Sequence, residues 1–249
     1  MNGNLFEMAP QKVKQTLDVL AIFAHPDDAE LTCGGTIIKL VDLGYRVGLI
    51  DLTQGEMATR GTVRQRSKEA KSGAGGLGVH LRENLRLLDC RVENSFENRL
   101  GVVHLLRKYR PHLLLLPYWE QRHPDHSKGS RLIYEASYLS GLKKLNAPGE
   151  PFRPHRIVYS TSFVEVQHTF VVDITEQFER KLEAVRCYQS QFSEKWEPTI
   201  FRPAEDVFDF LEVRARHYGS LIGKKYGEAF LTKEMTEVED PMRLLNRSI

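Results

Sequence analysis

Apolar and polar positions along this chain follow a strand–helix–strand rhythm. Leu17–Ala24 is apolar at nearly every position, as a strand covered on both faces requires. Glu30–Leu43 follows with Leu31, Ile37, Ile38 and Val41 at helical intervals, and Gly44 stands where such a helix would end. Arg46–Leu52 reads as a second strand, and this order predicts a parallel pair with a right-handed crossover. Thr53–Gly61 is a polar loop. Thr62–Leu77 reads as a helix, its end expected to fray at Gly73, Gly75 and Gly76. A short strand at Leu85–Leu88, a helix at Phe96–Tyr109, a third buried strand at His112–Pro117 and a helix at His126–Leu142 continue the pattern. Beyond a Pro- and Gly-containing loop at Asn146–Pro154 the rhythm changes. Strands are expected at Arg156–Tyr159 and Phe170–Val172, and amphipathic helices at Ile174–Tyr188 and Asp206–Ile222. The fold class expected is α/β: a single Rossmann-like domain with a mostly parallel central sheet flanked by helices. Its core spans about residues 15–145, with a C-terminal elaboration over about 155–249.

Composition narrows the function classes. With 41% hydrophobic residues in 249, the chain can build its own core without cross-links. A formal net charge of +2 and the lack of a basic stripe interleaved with aromatics argue against nucleic-acid binding. No apolar run is long enough to span a membrane, and Met1–Lys14 holds no signal-like apolar stretch. Cys33, Cys90 and Cys187 are odd in number and far apart, which disfavours a disulfide framework. A cytoplasmic protein is therefore expected.

The chemistry concentrates in two blocks, each following a buried strand. His25-Pro26-Asp27-Asp28 follows the first, and His123-Pro124-Asp125-His126 follows the strand ending at Pro117. Ligands of open α/β sheets bind at the C-terminal strand ends. His25 and Asp28 can aim at one ion across a tight turn, and His126 can supply a third ligand with one position left open. Asp27 lies between the first two and is placed to accept a proton from water. The competing account is that Asp27 and Asp28 merely cap the next helix. His123 is left free of the ion, with Asp125 able to hold and charge it so that it donates to a developing oxyanion. Gln54-Gly55-Glu56 and Thr59-Arg60-Gly61-Thr62 lie at the same edge, and Arg60 or Arg66 could clamp a carboxylate. No G-x-G-x-x-G follows the first strand and no G-x-S-x-G is present, so neither a dinucleotide site nor a serine hydrolase is indicated. His168 and His217 are further pocket candidates.

A-H-P-D-D, the Q-G-E…T-R-G-T loop and H-P-D-H together resemble the PIG-L/LmbE-like zinc N-deacetylases over nearly the whole chain. Tyr188-Gln189-Ser190-Gln191-Phe192 and Tyr226-Gly227-Glu228-Ala229-Phe230 are similar to the branch that serves bacillithiol biosynthesis. One departure is that Ala29 separates Asp28 from Glu30, where many members have the glutamate directly. The resemblance implies zinc held by His25, Asp28 and His126; a His-Asp-His donor set accepts several divalent ions, so iron(II) is an alternative metal. It implies Asp27 as general base, His123 stabilising the tetrahedral intermediate with Asp125 as its partner, and Arg66 touching the sugar. It further implies an N-acetylglucosaminyl malate substrate and a homo-oligomer, hexamers included. Alternatives are another N-acetylglucosamine derivative, such as the free sugar or a chitin oligosaccharide, an S-conjugate amidase, and a metal-binding sugar receptor without turnover.

Overall fold

The computed structural model describes residues 16–161, 164–192, 207–235, 237–240 and 242. Its centre is a seven-stranded sheet in the order β3-β2-β1-β4-β5-β7-β6. The strands are β1 (Val19–Phe23), β2 (Val47–Thr53), β3 (Leu81–Leu87), β4 (Leu113–Pro117), β5 (Arg156–Ser160), β6 (Phe170–Asp173) and β7 (Gly227–Leu231). The first five in that spatial order run parallel, while β7 pairs antiparallel with both β5 and β6. The helices are α1 (Asp28–Asp42), α2 (Val63–Leu77), α3 (Phe96–Tyr109), α4 (Pro124–Ser140), α5 (Phe178–Arg186), the short α6 (Gln189–Phe192) and α7 (Val207–Leu221).

Alternate residues of each central strand serve opposite faces. Leu20, Ile22, Ile50, Leu52, Leu114 and Leu116 pack with α3 and α4 residues such as Val102, Leu106, Leu132 and Ile133. Val19, Ala21, Phe23, Leu49 and Leu115 pack on the other side with Ile37 and Ile38 of α1, Leu77 of α2 and Ala184 of α5. Every residue of β1 and β2 is buried, which explains their near-continuous apolar sequences. A third cluster joins Ile174, Phe178 and Leu182 to Leu211, Ala215 and Tyr226 beneath α7.

Local sequence explains most boundaries. Gly44 adopts φ +88°, and the Gly44 and Tyr45 amides donate to Val41 O and Leu40 O, closing α1 in a Schellman arrangement. Thr62 Oγ1 caps α2 by accepting Gln65 N at 3.2 Å. The expected fraying at Gly73, Gly75 and Gly76 does not occur, and α2 stays helical to Leu77. The first of these glycines serves close packing: a Cβ at Gly73 would lie 2.7 Å from Glu30 Oε1 and 3.0 Å from Tyr188 Cε2.

Three elements differ from their sequence patterns. β3 runs Leu81–Leu87 rather than Leu85–Leu88: Arg82 reads as a surface residue in the sequence, but its side chain is buried against Asp51 and Glu30. The expected helix Ile174–Tyr188 is shorter, at Phe178–Arg186, followed by the separate α6. β7 has no counterpart in the pattern reading. Helix α7 matches its expected span from Val207, with Asp206 outside the described residues. Among the described residues no helix is long and apolar enough to cross a membrane.

Candidate metal and catalytic site

The sheet order puts β1 beside both β2 and β4: the chain leaves β1 toward β2 and β3 on one side, then crosses back from β3 to β4 on the other. This is the switch point at which open α/β sheets bind ligands, outside the C-terminal strand ends. The His25–Asp28 turn leaves β1 there, the His123–His126 turn follows β4, and Asp89 follows β3.

Three donor atoms converge. His25 Nδ1 lies 3.2 Å from His126 Nε2 and 3.4 Å from Asp28 Oδ2, and His126 Nε2 lies 3.2 Å from the same oxygen. Ligands at about 2.0–2.1 Å from a common tetrahedral centre stand roughly 3.3–3.4 Å apart, so this triangle fits a zinc-sized ion with a fourth position open. Asp28 is oriented by the His25 amide, which donates to Oδ2 at 2.9 Å. The opposite nitrogen, His25 Nε2, bonds Asp89 Oδ1 at 2.9 Å and stands 3.7 Å from Asp125 Oδ2. A carboxylate behind a ligating histidine fixes its tautomer and raises its basicity. Groups able to hold an ion are thus found on both sides of His25: His25, His123 and His126 form one, and His25, Asp89 and Asp125 the other.

The electrostatics are those of a cation site. Burial by itself would strip the proton from His25, but Asp125, Asp28 and Asp89 outweigh it and raise its proton affinity well above the ordinary value. Burial pushes the Asp28 carboxyl up, yet His126 and His25 bring it well below the usual carboxylate range. Asp89, likewise opposed by burial, is lowered by His25 and by the Met57 and Cys90 amides.

Asp27 occupies the N-cap position of α1 but makes no side-chain cap bond, so capping does not account for it. Its backbone sits at φ +111°, a left-handed conformation costly for a residue with a Cβ and typical of functional turns. The side chain turns instead to Arg66, with Oδ2 2.7 Å from Nη2 and both side chains under 10% exposed. Burial raises the Asp27 carboxyl to about 7 against the opposing pull of Arg66.

The surroundings of Arg66 and Asp125 add to the sequence reading. The Arg66 guanidinium donates to Pro26 O at 3.2 and 2.8 Å, to Asp27, and to Gln191 Oε1 at 2.8 Å. The Asp125 carboxylate serves the Cys90 and Val92 amides and His25, while its bond to His123 runs through the backbone, Asp125 N donating to His123 Nδ1 at 3.2 Å. Burial, with His25 and His126 nearby, lowers the proton affinity of His123, contrary to the expected charging. Arg60 lies in the loop after β2, where its carbonyl accepts Gln191 Nε2 at 3.0 Å. His168 bonds Thr161 Oγ1 and packs on Tyr218, in the C-terminal part of the chain. Glu30 is wholly buried and binds Arg82 and Tyr188 at 2.6 and 2.7 Å, so its shifted position in the motif serves the core.

Sequence reading missed Asp89 and assigned Gln191 no role. A carboxylate directly after a strand on the same sheet edge was the available signal for Asp89. Gln191 lies in a stretch that carries the family resemblance, but its role shows only where α6 folds back over the Arg60–Arg66 segment.

A switch-point α/β domain whose buried and half-buried histidines and carboxylates could hold an ion, with a further carboxylate beside them, has the arrangement a metal-dependent hydrolase needs. Residues 20–137 match the family described as PIG-L, GlcNAc-PI de-N-acetylase. The chain is 34% identical to a diacetylchitobiose deacetylase of Thermococcus kodakarensis, over 84% of this chain and 80% of that one. It is 29% identical to a probable N-acetyl-α-D-glucosaminyl L-malate deacetylase 2 of Bacillus cereus, over 73% and 86% respectively. A conserved protein of Thermus thermophilus has the same fold, with a TM-score of 0.82 and 34% identity over 90% of this chain and 98% of that one. The protein belongs to the PIG-L family and is a hydrolytic N-deacetylase; metal dependence is typical of that family.

Proposed function

We propose that the protein releases acetate from the N-acetyl group of an N-acetylglucosamine derivative, with His25, Asp28 and His126 holding a zinc ion, or iron(II) in its place. The observation that carries this reading is the triangle of Nδ1, Oδ2 and Nε2 atoms with Asp27 locked beside it. The ion, when bound, supplies Lewis-acid polarisation of the amide carbonyl and acidification of water. Asp27 is the general base: its carboxyl is buried, fixed by Arg66, and balanced near neutral pH, where a base and its conjugate acid both act well. His123 Nδ1 accepts the Asp125 amide, so a neutral His123 carries its proton on Nε2 and can donate there to an oxyanion. Asp89 and Asp125 hold the far side of His25.

The finer reading of substrate is N-acetylglucosaminyl malate, in bacillithiol biosynthesis, supported by likeness to the Bacillus deacetylase. A second reading, diacetylchitobiose, is favoured by higher identity over more of the chain. A cytoplasmic setting, supported by the free thiols of Cys33, Cys90 and Cys187, and a homo-oligomer complete the proposal.

The test is acetate release by metal-replete protein from N-acetylglucosaminyl malate, diacetylchitobiose and free N-acetylglucosamine, compared by kcat/KM. The best substrate of the three decides between the readings. Sugar binding without acetate release from any of them would overturn the catalytic proposal in favour of a receptor.

A further inference from the structure

Helix α1, which carries Asp28 at its start, is broken. At Cys33 the backbone leaves helical geometry, with φ −141° and ψ 20°. A break of this kind creates a new helix N-terminus whose first amides lack acceptors within the helix. Two of them are satisfied from far along the chain. Gly35 N donates to Glu228 Oε1 at 3.0 Å, and Thr36 N donates to Glu228 Oε2 at 2.7 Å. Lys181 Nζ of α5 donates to the same Oε1 at 2.6 Å, with both side chains only 4% exposed. The crossing is tight, since a Cβ at Gly35 would lie 2.7 Å from Ile174 Cδ1.

The segment ahead of the break is short and pinned at both ends. Thr32 Oγ1 donates to Asp28 O at 2.8 Å, and Ser160 Oγ of β5 donates to Thr32 Oγ1 at 3.1 Å. Its front end is the turn that carries His25 and Asp27. Its rear end adjoins the joint that Glu228 caps. His126 comes from a different strand, so the donor triangle closes only if this segment is held at the correct angle to β4.

We infer that Glu228 is a positioning residue for the metal centre: by capping the internal break in α1 it sets where Asp28 stands relative to His126. The inference rests on the proposed role of Asp28 as a metal ligand. Strand β7 thereby connects the C-terminal part of the chain to the site, and the buried charge of Glu228, neutralised by Lys181, has a use beyond packing.

The experiment measures zinc affinity by competition with a chromophoric chelator, alongside thermal unfolding of the apo proteins. Lys181→Met/Glu228→Leu removes both buried charges and both amide acceptors. Lys181→Met/Glu228→Gln removes the charges but keeps one carbonyl oxygen. Zinc affinity is expected to fall about 10-fold or more in the first and by a smaller factor in the second, as for other residues that orient metal ligands. Arg107→Met is the control. Arg107 is buried, caps the carbonyls of Ser140 and Leu142, and stands away from the site, so its loss lowers unfolding temperature without lowering zinc affinity. If the Leu variant does not fold, the Gln variant alone decides. Wild-type zinc affinity in the folded Glu228 variants, with Asp28→Ala still losing zinc, would overturn the inference. Wild-type affinity in Asp28→Ala itself would instead overturn the ligand assignment beneath it.

Discussion

Replacing Arg66 by Met separates two accounts of this residue. The Arg66–Asp27 pair lies at 2.7 Å with side chains 9% and 8% exposed, so solvent screens it little. Removing the guanidinium leaves a buried carboxyl without its countercharge and takes away two bonds to Pro26 O. Breaking a buried pair from one side costs about 3–5 kcal/mol while the remaining group stays charged, so the loss is read above pH 7 and shrinks at lower pH as the Asp27 carboxyl, already raised to about 7, takes up a proton. For a chain of this size the full loss corresponds to a fall in Tm of roughly 6–20 °C. The double variant Asp27→Asn/Arg66→Met should be more stable than Arg66→Met alone. No orphaned charge remains in it, and Asn tolerates the positive φ at this position better than most residues. Urea and thermal unfolding of the four proteins close the cycle. Kinetics read the other half. An arginine that orients the base lowers kcat, by about 10²-fold for a misplaced group, at nearly constant KM. An arginine that clamps the sugar raises KM with kcat preserved. Loss of less than about 1 kcal/mol, the range of an exposed pair, or a KM effect alone, would refute the reasoning.

Asp27→Ala should keep its metal by elemental analysis while losing about 10²–10⁴ in kcat; substantial turnover would remove Asp27 as the base. His126→Ala should lose tightly bound metal, and chelation of the wild-type protein should lower its Tm until zinc is restored, an effect read by differential scanning fluorimetry. His123→Ala should keep the metal and lose about 10²–10³ in kcat, as expected for one oxyanion donor, measured by acetate release. Gly73→Ala should destabilise by about 1–3 kcal/mol through overpacking against Glu30 and Tyr188, more than offsetting the helix-propensity gain of about 1 kcal/mol; a raised Tm would show that α2 shifts freely.

Much of this protein was legible in its sequence because the signals are local. A buried parallel strand must be apolar at successive positions, so β1, β2 and β4 announce themselves. The turns that follow β1 and β4 carry their histidines and carboxylates within a few residues, where spacing alone suggests an ion site. Long-range partners decided the rest. Arg82 looked like surface until Asp51 and Glu30 buried it within β3. The Asp125 carboxylate went to His25 and two loop amides rather than to its neighbour His123, because the loop after β3 approaches it. Arg66 became a support for Asp27 only when α2 folded over the Pro26 turn. Glu228, with no pattern around it that reads as a strand, reached the break in α1 through sheet pairing. Periodicity and spacing report which residues can share a face or a turn. Which charge meets which is a property of the packed sheet, where distance and burial, not sequence separation, set the strength of each interaction.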